Sequence, residues 1–543
     1  MSLQLCNRII IGSLCCILYL TFLQTAALAK RPNILIAISD DQSFPYASAY
    51  GTAGIQTPAF DQVAKQGVLF HSAFTPAPGC SPMRAAFLTG REIWQIGAAG
   101  THASDFPRDL PVFTEQLEKS GYHVGMTGKG WGPGRAADWP HNPAGRSYSK
   151  AKMKSPGGIS STDYATNFER FLSERKDDQP FCFWFGGHEP HRSFQPGIGK
   201  SQGIDPSEVH LPKFLPDSSE VRSDVADFIF EVQWFDSHLQ RMLSHLESIG
   251  ESENTLVIVT SDNGMPFPRA KANLYEYGIH MPLAMCWPAA WPAGQQDHHL
   301  VSLIDVTRTI FDVAEVSPQQ ANQLTGKSLS TALRQSNDKT VERRVSVFSG
   351  RERHSSSRFH SLGYPSRCIR TDTYLYIRNF APDRWPAGTP QKYASAKFNL
   401  NNQLVSGTLG PKDGGYHDID DGPTLQWMIA NQGTDSVKQL LDAAVAIRPA
   451  EELYNIQTDP ACLHNLASQI DHQDARSSLS KTLDEYLRQT GDLRVTDPRA
   501  AHQWEMYPRH SSLRWFPEPE WWSNEEKRVP EQPWLEGKRP RSE

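Results

Sequence analysis

Residues 80–91 of this 543-residue chain hold a cysteine, a proline and an arginine at a spacing that suits sulfur chemistry beside an anion. The stretch reads Cys80-Ser-Pro82-Met-Arg84-Ala-Ala-Phe-Leu-Thr-Gly90-Arg. Pro82 fits the first turn of a helix and Gly90 fits its end, so the helix is predicted to begin at the cysteine. A helix N-terminus attracts anions. The motif predicts a reactive site at Cys80, and the alternative is a buried thiol at a helix start.

Two polar pairs offer oxygen ligands for a metal ion. Asp40 and Asp41 follow the apolar run 33–39, and Asp262 and Asn263 follow the apolar run 255–261. Three carboxylates and an amide oxygen suit a hard divalent cation, and calcium fits this set better than zinc. A helix cap or a turn is the usual role of an isolated Asp pair, and the second, similar pair favours the metal site.

Three cations and two histidines complete the candidate site. Arg84, Lys129 and Lys271 are candidate clamps for a tetrahedral anion, because charge-assisted hydrogen bonds hold such groups. His191, in the segment 188–192, is a candidate general acid, since its ordinary pKa lies near neutrality. His188 is either a substrate contact or a structural residue.

The elements that must position these groups follow an α/β pattern. Strands are predicted over 33–39, 122–127, 180–185 and 255–261, and helices over 57–66, 112–119, 163–175 and 223–249. Each strand is followed at once by polar residues. Because ligands bind at the carboxyl ends of parallel strands, these polar groups are expected to share one crevice.

The pattern changes after about residue 340. Runs at 345–348, 367–380 and 450–456 predict a smaller antiparallel sheet, with one helix near 474–490. Residues 383–425 are rich in Gly, Pro, Asn and Asp and predict a long loop, either functional or mobile. The resulting division is a signal peptide (1–29), a catalytic domain (30–340), a C-terminal α+β subdomain (341–500) and a surface-wrapping tail (501–543).

The N-terminus predicts export. Arg8, an apolar run over 9–22 and Ala27-Leu-Ala29 are typical of a cleaved secretory signal, with a membrane anchor as the alternative. No stable membrane span is expected after cleavage. The sequence contains no Asn-x-Ser/Thr site, which favours a bacterial envelope, periplasmic or secreted, over a glycosylating compartment.

Composition excludes some functions. The net charge of -6, with 38% hydrophobic and 21% charged residues, is that of an ordinary globular protein and gives no basic footprint for nucleic acid. Four scattered cysteines after Cys80 do not make a disulfide framework. They are Cys182, Cys286, Cys368 and Cys462.

Several motifs together resemble the type I sulfatases of the alkaline phosphatase superfamily, and within them the heparan N-sulfatase group. They are the Cys80 motif, segment 188–192, the run 261–268 leading to 273–275, and the motifs at 452–454, 459–460 and 465–467. The resemblance extends from about residue 32 to about residue 500. It implies a large alkaline-phosphatase-like domain, with a mostly parallel sheet between helices, and a smaller C-terminal α+β domain with an antiparallel sheet.

The resemblance also implies a mechanism. Cys80 would be oxidised to formylglycine by a formylglycine-generating enzyme, and its hydrate would attack the sulfur of a sulfate ester or sulfamate on a sulfated saccharide. His191 or Lys271 would protonate the leaving group. The implied calcium ligands are Asp40, Asp41, Asp262, Asn263 and the residue derived from Cys80, and the implied sulfate contacts are Arg84, Lys129, His191 and Lys271.

The chain departs from the family pattern at two positions. The pattern Gly-Lys-x-His is replaced by Gly-Lys129-Gly-Trp131, so Trp131 is expected either to form a wall for a sugar ring or to leave the histidine's role to His188 or His123. The heparan N-sulfatase group has Arg at the position of Lys271. Two other functions stay open: a phosphonate or phosphate monoester hydrolase on the same fold, and a catalytically weak glycan-binding protein.

Overall fold

The structure of the protein, a computed structural model, describes residues 31–334, 343–530 and 532–542. The predicted signal peptide and the predicted domain boundary at residue 340 lie outside these residues. Within the described helices, none combines the length and the apolar character needed to cross a membrane.

A nine-stranded sheet forms the centre of the molecule, with the path β4-β3-β5-β1-β6-β7-β2-β8 and with β9 paired to β2. All its pairings are parallel except those of β7 with β6 and β2. Its strands are β1 Asn33–Ser39, β2 Val68–Phe74, β3 His123–Gly128, β4 Arg146–Ser147, β5 Phe181–Gly186, β6 Thr255–Ser261, β7 His280–Cys286, β8 Gln295–Asp297 and β9 Val301–Ser302.

Helices cover both faces of this sheet. Because alternate side chains of a strand point to opposite faces, Ile34 and Ile36 of β1 enter one apolar cluster and Leu35 enters another. The helices of the chain are α1 Pro58–Gln66, α2 Cys80–Thr89, α3 Phe113–Lys119, α4 Tyr164–Ser173, α5 Ile198–Ser201, α6 Ser219–Ser248, α7 Glu276–Ile279, α8 Leu303–Val313, α9 Ser330–Arg334, α10 Pro423–Ala430, α11 Asp435–Val445, α12 Gln473–Gln489, α13 Leu493–Thr496 and α14 Gln503–Met506.

The C-terminal region holds an antiparallel sheet of order β10-β11-β12-β15 and a separate hairpin, β13-β14. The predicted run 367–380 is two strands joined by a turn, and the predicted loop 383–425 contains the hairpin and the start of α10. The strands are β10 Val347–Arg351, β11 Ser366–Arg370, β12 Tyr374–Asn379, β13 Tyr393–Phe398, β14 Leu404–Leu409 and β15 Glu451–Asn455. The fold is the predicted one: a mostly parallel α/β sheet followed by antiparallel sheets.

The two sheets share one apolar core. Ile369 and Tyr376 of the C-terminal sheet lie in the same buried cluster as Ile34 and Ile36 of the central sheet. Trp504, from the segment predicted to wrap the surface, belongs to that cluster as well. The C-terminal region is therefore packed firmly enough to place side chains in the crevice at the central sheet.

Helix α6 carries a buried carboxyl group that forms no hydrogen bond with any described residue. The side chain of Glu231 is 1% exposed, and neither of its carboxyl oxygens has a hydrogen-bond partner among the described residues. Burial, together with the nearby Glu189, raises the pKa of Glu231 to about 9. Glu231 is therefore protonated in the folded protein at neutral pH.

Glu231 should make the stability of the fold depend on pH. The folded-state pKa of Glu231 lies above the ordinary value of 4.5. The stabilisation of the fold by its protonated form is therefore complete below pH 4.5 and is lost as the pH rises towards 9. The loss amounts to about 1.4 kcal/mol per pH unit at most. We expect Glu231→Gln to flatten the dependence of the unfolding free energy on pH between about 5 and 9 in urea titrations. Glu247→Gln, an exposed change on the same helix, is the control; equal slopes in all three proteins would contradict the assignment.

Candidate active site

The polar groups that follow strands β1, β3, β5 and β6 meet at one edge of the central sheet. Ser39 and Ser261 are register partners at the ends of β1 and β6, so Asp40 and Asp262 emerge side by side. Lys129 leaves β3 and places its Nζ 2.5 Å from Asp40 Oδ2. Parallel pairing thus brings together side chains that are more than 200 residues apart in sequence.

Three carboxylates form the centre of the site. Asp40, Asp41 and Asp262 are buried, and an oxygen of each lies within 4.8 Å of the others. Asp41 has a φ of 77°, a left-handed conformation that is unusual for a residue with a Cβ. Its backbone N–H donates to Asp262 Oδ1 at 3.1 Å, which ties the two strand ends together.

Each carboxylate is paired with one cation. Lys129 pairs with Asp40, Lys271 Nζ lies 2.6 Å from Asp41 Oδ2, and Arg84 Nε lies 2.8 Å from Asp262 Oδ2. Arg84 comes from α2, Lys129 from the end of β3, and Lys271 from the loop after β6. The cluster therefore fixes three separate segments of the chain.

The pKa values of the carboxyl groups differ although all three are buried. Burial opposes the ionisation of Asp40, but Lys129 and His191 hold its pKa well below the usual range. Burial raises the pKa of Asp41 to about 6, against the effect of Lys271, and it also raises the pKa of Asp262. The side chains alone thus stabilise Asp41 and Asp262 poorly as anions, and a bound cation would lower the pKa of both.

The donor set fits a hard divalent cation. Asn263 donates through Nδ2 to Asp41 Oδ1 at 2.7 Å, while its Oδ1 is buried and has no partner among the described residues. An amide oxygen without a hydrogen-bond partner, next to three carboxylates, provides the kind of oxygen ligands that a hard cation such as calcium prefers. The predicted ligands Asp40, Asp41, Asp262 and Asn263 thus lie together.

Cys80 is the first residue of α2, and its thiol faces the carboxylates. Its Sγ lies 3.4 Å from Asp40 Oδ1 and 3.9 Å from Asp41 Oδ1. Burial and the charge of Asp40 raise the pKa of this thiol well above its ordinary value. Because the thiolate is the reactive form of cysteine, the unmodified side chain is a poor nucleophile at this place.

The two histidines of segment 188–192 are placed differently. His191 lies at the opening with its ring 37% exposed, its Nε2 3.9 Å from Asp41 Oδ2 and its Nδ1 bonded to the carbonyl of Arg192 at 2.7 Å. His188 is exposed, and no described residue makes a hydrogen bond with its ring. Asp40 acts electrostatically on both rings, and His191 is the one whose ring nitrogen approaches a carboxylate oxygen, at 3.9 Å.

Of the two expectations for Trp131, the wall for a sugar ring does not agree with the structure, because the indole is buried. Its side chain is 5% exposed, its Nε1 donates to the carbonyl of Ser81 at 3.0 Å, and its ring packs edge-on against Phe106. The indole supports the first turn of α2 from behind. His123 is not a substitute for the missing histidine either, because it begins β3 and stacks on Phe171, about 17 Å of strand away from the crevice.

Three residues near the site were not predicted from the sequence. Asp420 reaches Lys271 from the segment 383–425, with 2.7 Å between Oδ2 and Nζ, and Lys271 holds the pKa of Asp420 below its usual range although burial acts against this. The rings of His354 and His102 lie 4.6 Å apart, with His354 against Gly79 just before Cys80. No motif marks these positions, since they depend on the path of the C-terminal region.

The strand ends of an open α/β sheet thus gather three buried carboxylates, three cations and a helix-start cysteine, a set that could hold a metal ion beside a tetrahedral anion. Residues 32–316 match the profile of the Sulfatase family, and residues 269–386 match the profile described as N-sulphoglucosamine sulphohydrolase, C-terminal. The N-sulphoglucosamine sulphohydrolase of Homo sapiens is 30% identical over 72% of this chain and 81% of its own length. An ulvan-active sulfatase of Formosa agariphila is 25% identical over 87% of this chain and 82% of its own. The chain belongs to the sulfatase family.

Solved structures show the same fold. A protein in complex with its substrate D-glucosamine-2-N,6-O-disulfate superimposes with a TM-score of 0.58, at 20% identity, over 86% of this chain and 99% of its own. A phosphonate monoester hydrolase of Agrobacterium radiobacter gives a TM-score of 0.58, at 16% identity, over 85% and 97%. These likenesses confirm the predicted fold class, which sulfatases and a phosphonate hydrolase share.

A divalent cation should stabilise the protein through the three carboxylates. A ligand that binds only the folded state adds about 2.7 kcal/mol at a concentration of about 100 Kd. We expect calcium to raise the unfolding temperature of chelator-treated protein, and Asp262→Asn to lose most of that gain. Thermal unfolding with calcium, magnesium and zinc in parallel measures both effects. Asp217→Asn, which removes a carboxylate from a surface ion pair with Arg222, is the control; an equal calcium effect in Asp262→Asn would exclude this site.

Proposed function

We propose that this protein hydrolyses sulfate esters or sulfamates of a sulfated glycan, using a formylglycine derived from Cys80 and a bound calcium ion. The position of Cys80 is the observation that carries the proposal. Its side chain starts a helix, faces the buried carboxylates at 3.4 Å and is held as a protonated thiol. A nucleophile is needed at this place, and the unmodified thiol serves poorly.

The calcium ion and the formylglycine would supply chemistry that the other side chains of the site do not. When present, calcium would neutralise charge on the sulfate, and the hydrated aldehyde of formylglycine would supply a hydroxyl nucleophile. Asp40, Asp41, Asp262 and Asn263 would hold the ion. The first turn of α2 directs the side chain at position 80 towards the sulfate.

The cations of the site orient the sulfate and balance its charge. Arg84 donates through Nη1 to the carbonyl of Lys129 at 2.6 Å, whereas its Nη2 is buried and has no partner among the described residues. That unused donor can bind a sulfate oxygen. Lys129 and Lys271 place two further positive charges at the cluster, and fixed charges in a buried site stabilise developing negative charge strongly.

His191 is placed to donate a proton to the leaving oxygen or nitrogen. The bond from Nδ1 to the carbonyl of Arg192 fixes the ring, so Nε2 faces the crevice beside Asp41. Arg192 is itself held by Asp224 of α6, with 2.6 Å between Nη2 and Oδ2. The long helix thus positions the proton donor through an ion pair.

The rival functions stand on different observations. The likeness to a phosphonate monoester hydrolase supports the phosphonate or phosphate reading, and parallel assays on aryl sulfate, aryl phosphate and a phosphonate monoester separate the two. A glycan-binding protein would need exposed aromatic rings at the crevice, and the indole of Trp131 is buried. A periplasmic or secreted location, maturation by a formylglycine-generating enzyme and the four predicted segments of the chain remain part of the proposal.

Conversion of Cys80 is the most direct test. Protein from a host that carries the modifying enzyme should contain formylglycine at position 80, visible as a mass change in the peptide that spans residues 80–91. Cys80→Ala should lose nearly all turnover of an aryl sulfate, because no other described residue offers a nucleophile there. Cys286→Ala, which alters a buried thiol on β7, should keep its activity; full activity in Cys80→Ala would refute the mechanism.

Removing His191 should affect substrates according to their leaving group. Sugar sulfates leave as alkoxides that need a proton, so His191→Gln should lower kcat about a hundredfold or more on a sugar sulfate. Activated aryl sulfates need little proton transfer and should lose far less. Steady-state kinetics on both substrates, with His464→Gln at an exposed position as control, measures the difference. Equal losses would assign the proton transfer to another group, such as Lys271.

A further inference from the structure

A fourth carboxylate stands at the opening of the site, and the family motifs do not include it. Asp420 Oδ2 lies 2.7 Å from Lys271 Nζ, and Lys271 is already paired with Asp41 at 2.6 Å. A carboxylate oxygen of Asp420, one of Asp41 and a ring nitrogen of His191 lie within 4.8 Å of one another. Asp420 is therefore next to the group proposed to protonate the leaving atom.

Asp420 is held rigidly from one side by Asp418. The buried carboxylate of Asp418 receives hydrogen bonds from Arg351 and Arg358, each at 2.6 Å, and from the hydroxyl of Ser357 at 2.7 Å. These bonds fix the backbone two residues before Asp420. Side chains supported in this way are preorganised for binding.

The other side is held by the same ion pair that positions His191. Thr424, at the start of α10, donates from its backbone N–H and its hydroxyl to Asp224 Oδ2, at 3.1 and 2.6 Å. Asp224 also binds Arg192, the residue after His191. Asp420 and His191 are thus fixed to one anchor, and their relative position is set by the fold.

One carboxylate oxygen of Asp420, Oδ1, is available to accept a hydrogen bond from a ligand. Its side chain is 26% exposed, whereas those of Asp41 and Asp262 are fully buried. No residue in the described ranges donates a hydrogen bond to its Oδ1. Lys271 is paired with Asp41 as well, so Asp420 is not the only counter-ion of that lysine.

The charge of Asp420 has an opposite effect on two kinds of substrate group. A carboxylate accepts strong hydrogen bonds from a hydroxyl or an amine hydrogen. It repels a sulfate or a carboxylate, and inside a site of low dielectric constant that repulsion is large. A carboxylate at the position of Asp420 would therefore favour a neutral hydrogen-bond donor beside the scissile sulfate and disfavour a second sulfate there.

We infer that Asp420 is a specificity-determining residue, which accepts a hydrogen bond from a hydroxyl or amine hydrogen next to the scissile group and disfavours a second anionic group there. The inference rests on the proposed sulfatase function. It names the substrate class as saccharides whose sulfated unit carries an uncharged donor, and no second sulfate or carboxylate, beside the group that is removed.

Asp420→Asn tests the inference against three probes: an activated aryl sulfate, the best-cleaved member of an N-, 3-O- and 6-O-monosulfated glucosamine set, and that sugar with a second sulfate on the nearest free hydroxyl or amine. We expect kcat/KM on the monosulfated sugar to fall about ten- to hundredfold more than on the aryl sulfate, which has no neighbouring donor. We expect the variant to cleave the disulfated sugar faster than the wild type does.

Asp421→Asn is the matched control, because it removes the same charge from the next residue, an exposed side chain bonded to Gln426. It should leave all three rates unchanged. Binding of the monosulfated sugar to Cys80→Ala protein, measured by calorimetry with and without Asp420→Asn, gives a second readout without turnover and should weaken to a similar degree.

The outcomes separate this inference from the proposed function. If Asp420 only positions Lys271, Asp420→Asn lowers the rates on all three probes in parallel, and the inference is overturned. It is also overturned if the wild type cleaves the aryl sulfate but neither binds nor cleaves any monosulfated glucosamine. A wild type that carries formylglycine and cleaves no sulfate at all would instead refute the proposed function.

Discussion

The site depends on the need to compensate three carboxylates that are buried within 4.8 Å of one another. Two unit charges about 4 Å apart repel by about 4 kcal/mol at an effective dielectric constant of 20, so the cluster is unstable unless cations lie beside it. Arg84, Lys129 and Lys271 meet part of this need, from a helix, a strand end and a loop. Because each pair joins two segments of the chain, compensation of the charges also determines where the helix and the loops lie.

The same pairs explain how the site could take up both a metal ion and an anion. A divalent cation on the carboxylates would weaken the hold of Asp40 and Asp41 on the two lysines, which leaves their charge for the sulfate. Arg84 keeps an unused buried donor even while it is bonded to Asp262. Metal binding and anion binding are therefore expected to support each other, since each supplies charge that the other needs.

The sequence predicts four of the nine strands of the central sheet, β1, β3, β5 and β6, because a fully buried parallel strand is a continuous apolar run. Strands β2 and β7, which lie inside the sheet, were not predicted. β1 and β6 have the predicted bounds, and the polar residues that follow them lie in one crevice. Helix α6 begins at Ser219, earlier than predicted, since Ser218 caps it by accepting from the N–H of Val221. The hairpin β13-β14 was predicted as loop because Gly and Asn interrupt its pattern, and only pairing across the turn reveals it.

The residues that the sequence could not place depend on tertiary contacts. Trp131 stands where the family pattern has a histidine, yet its ring turns to the back of α2, where its N–H donates to the carbonyl of Ser81 and its ring packs on Phe106. Asp420 lies about 150 residues from Lys271, in a segment whose composition indicates only a loop. Neither position has a local signal, because each is decided by what lies opposite in the folded chain.

The central sheet and the C-terminal region are expected to contribute differently to the site. The central sheet supplies the charged groups of the proposed metal and anion site, on a fold that this sulfatase-family chain shares with a phosphonate monoester hydrolase. The C-terminal region supplies Asp420, and its anchor is Asp418, fixed by two arginines in the interior. In the proposed site, residues at the strand ends would have to balance the charges of the metal and the anion and would have little freedom to change. A side chain at the opening, held from a separate region, is freer to change, so selection among saccharides is expected to lie there.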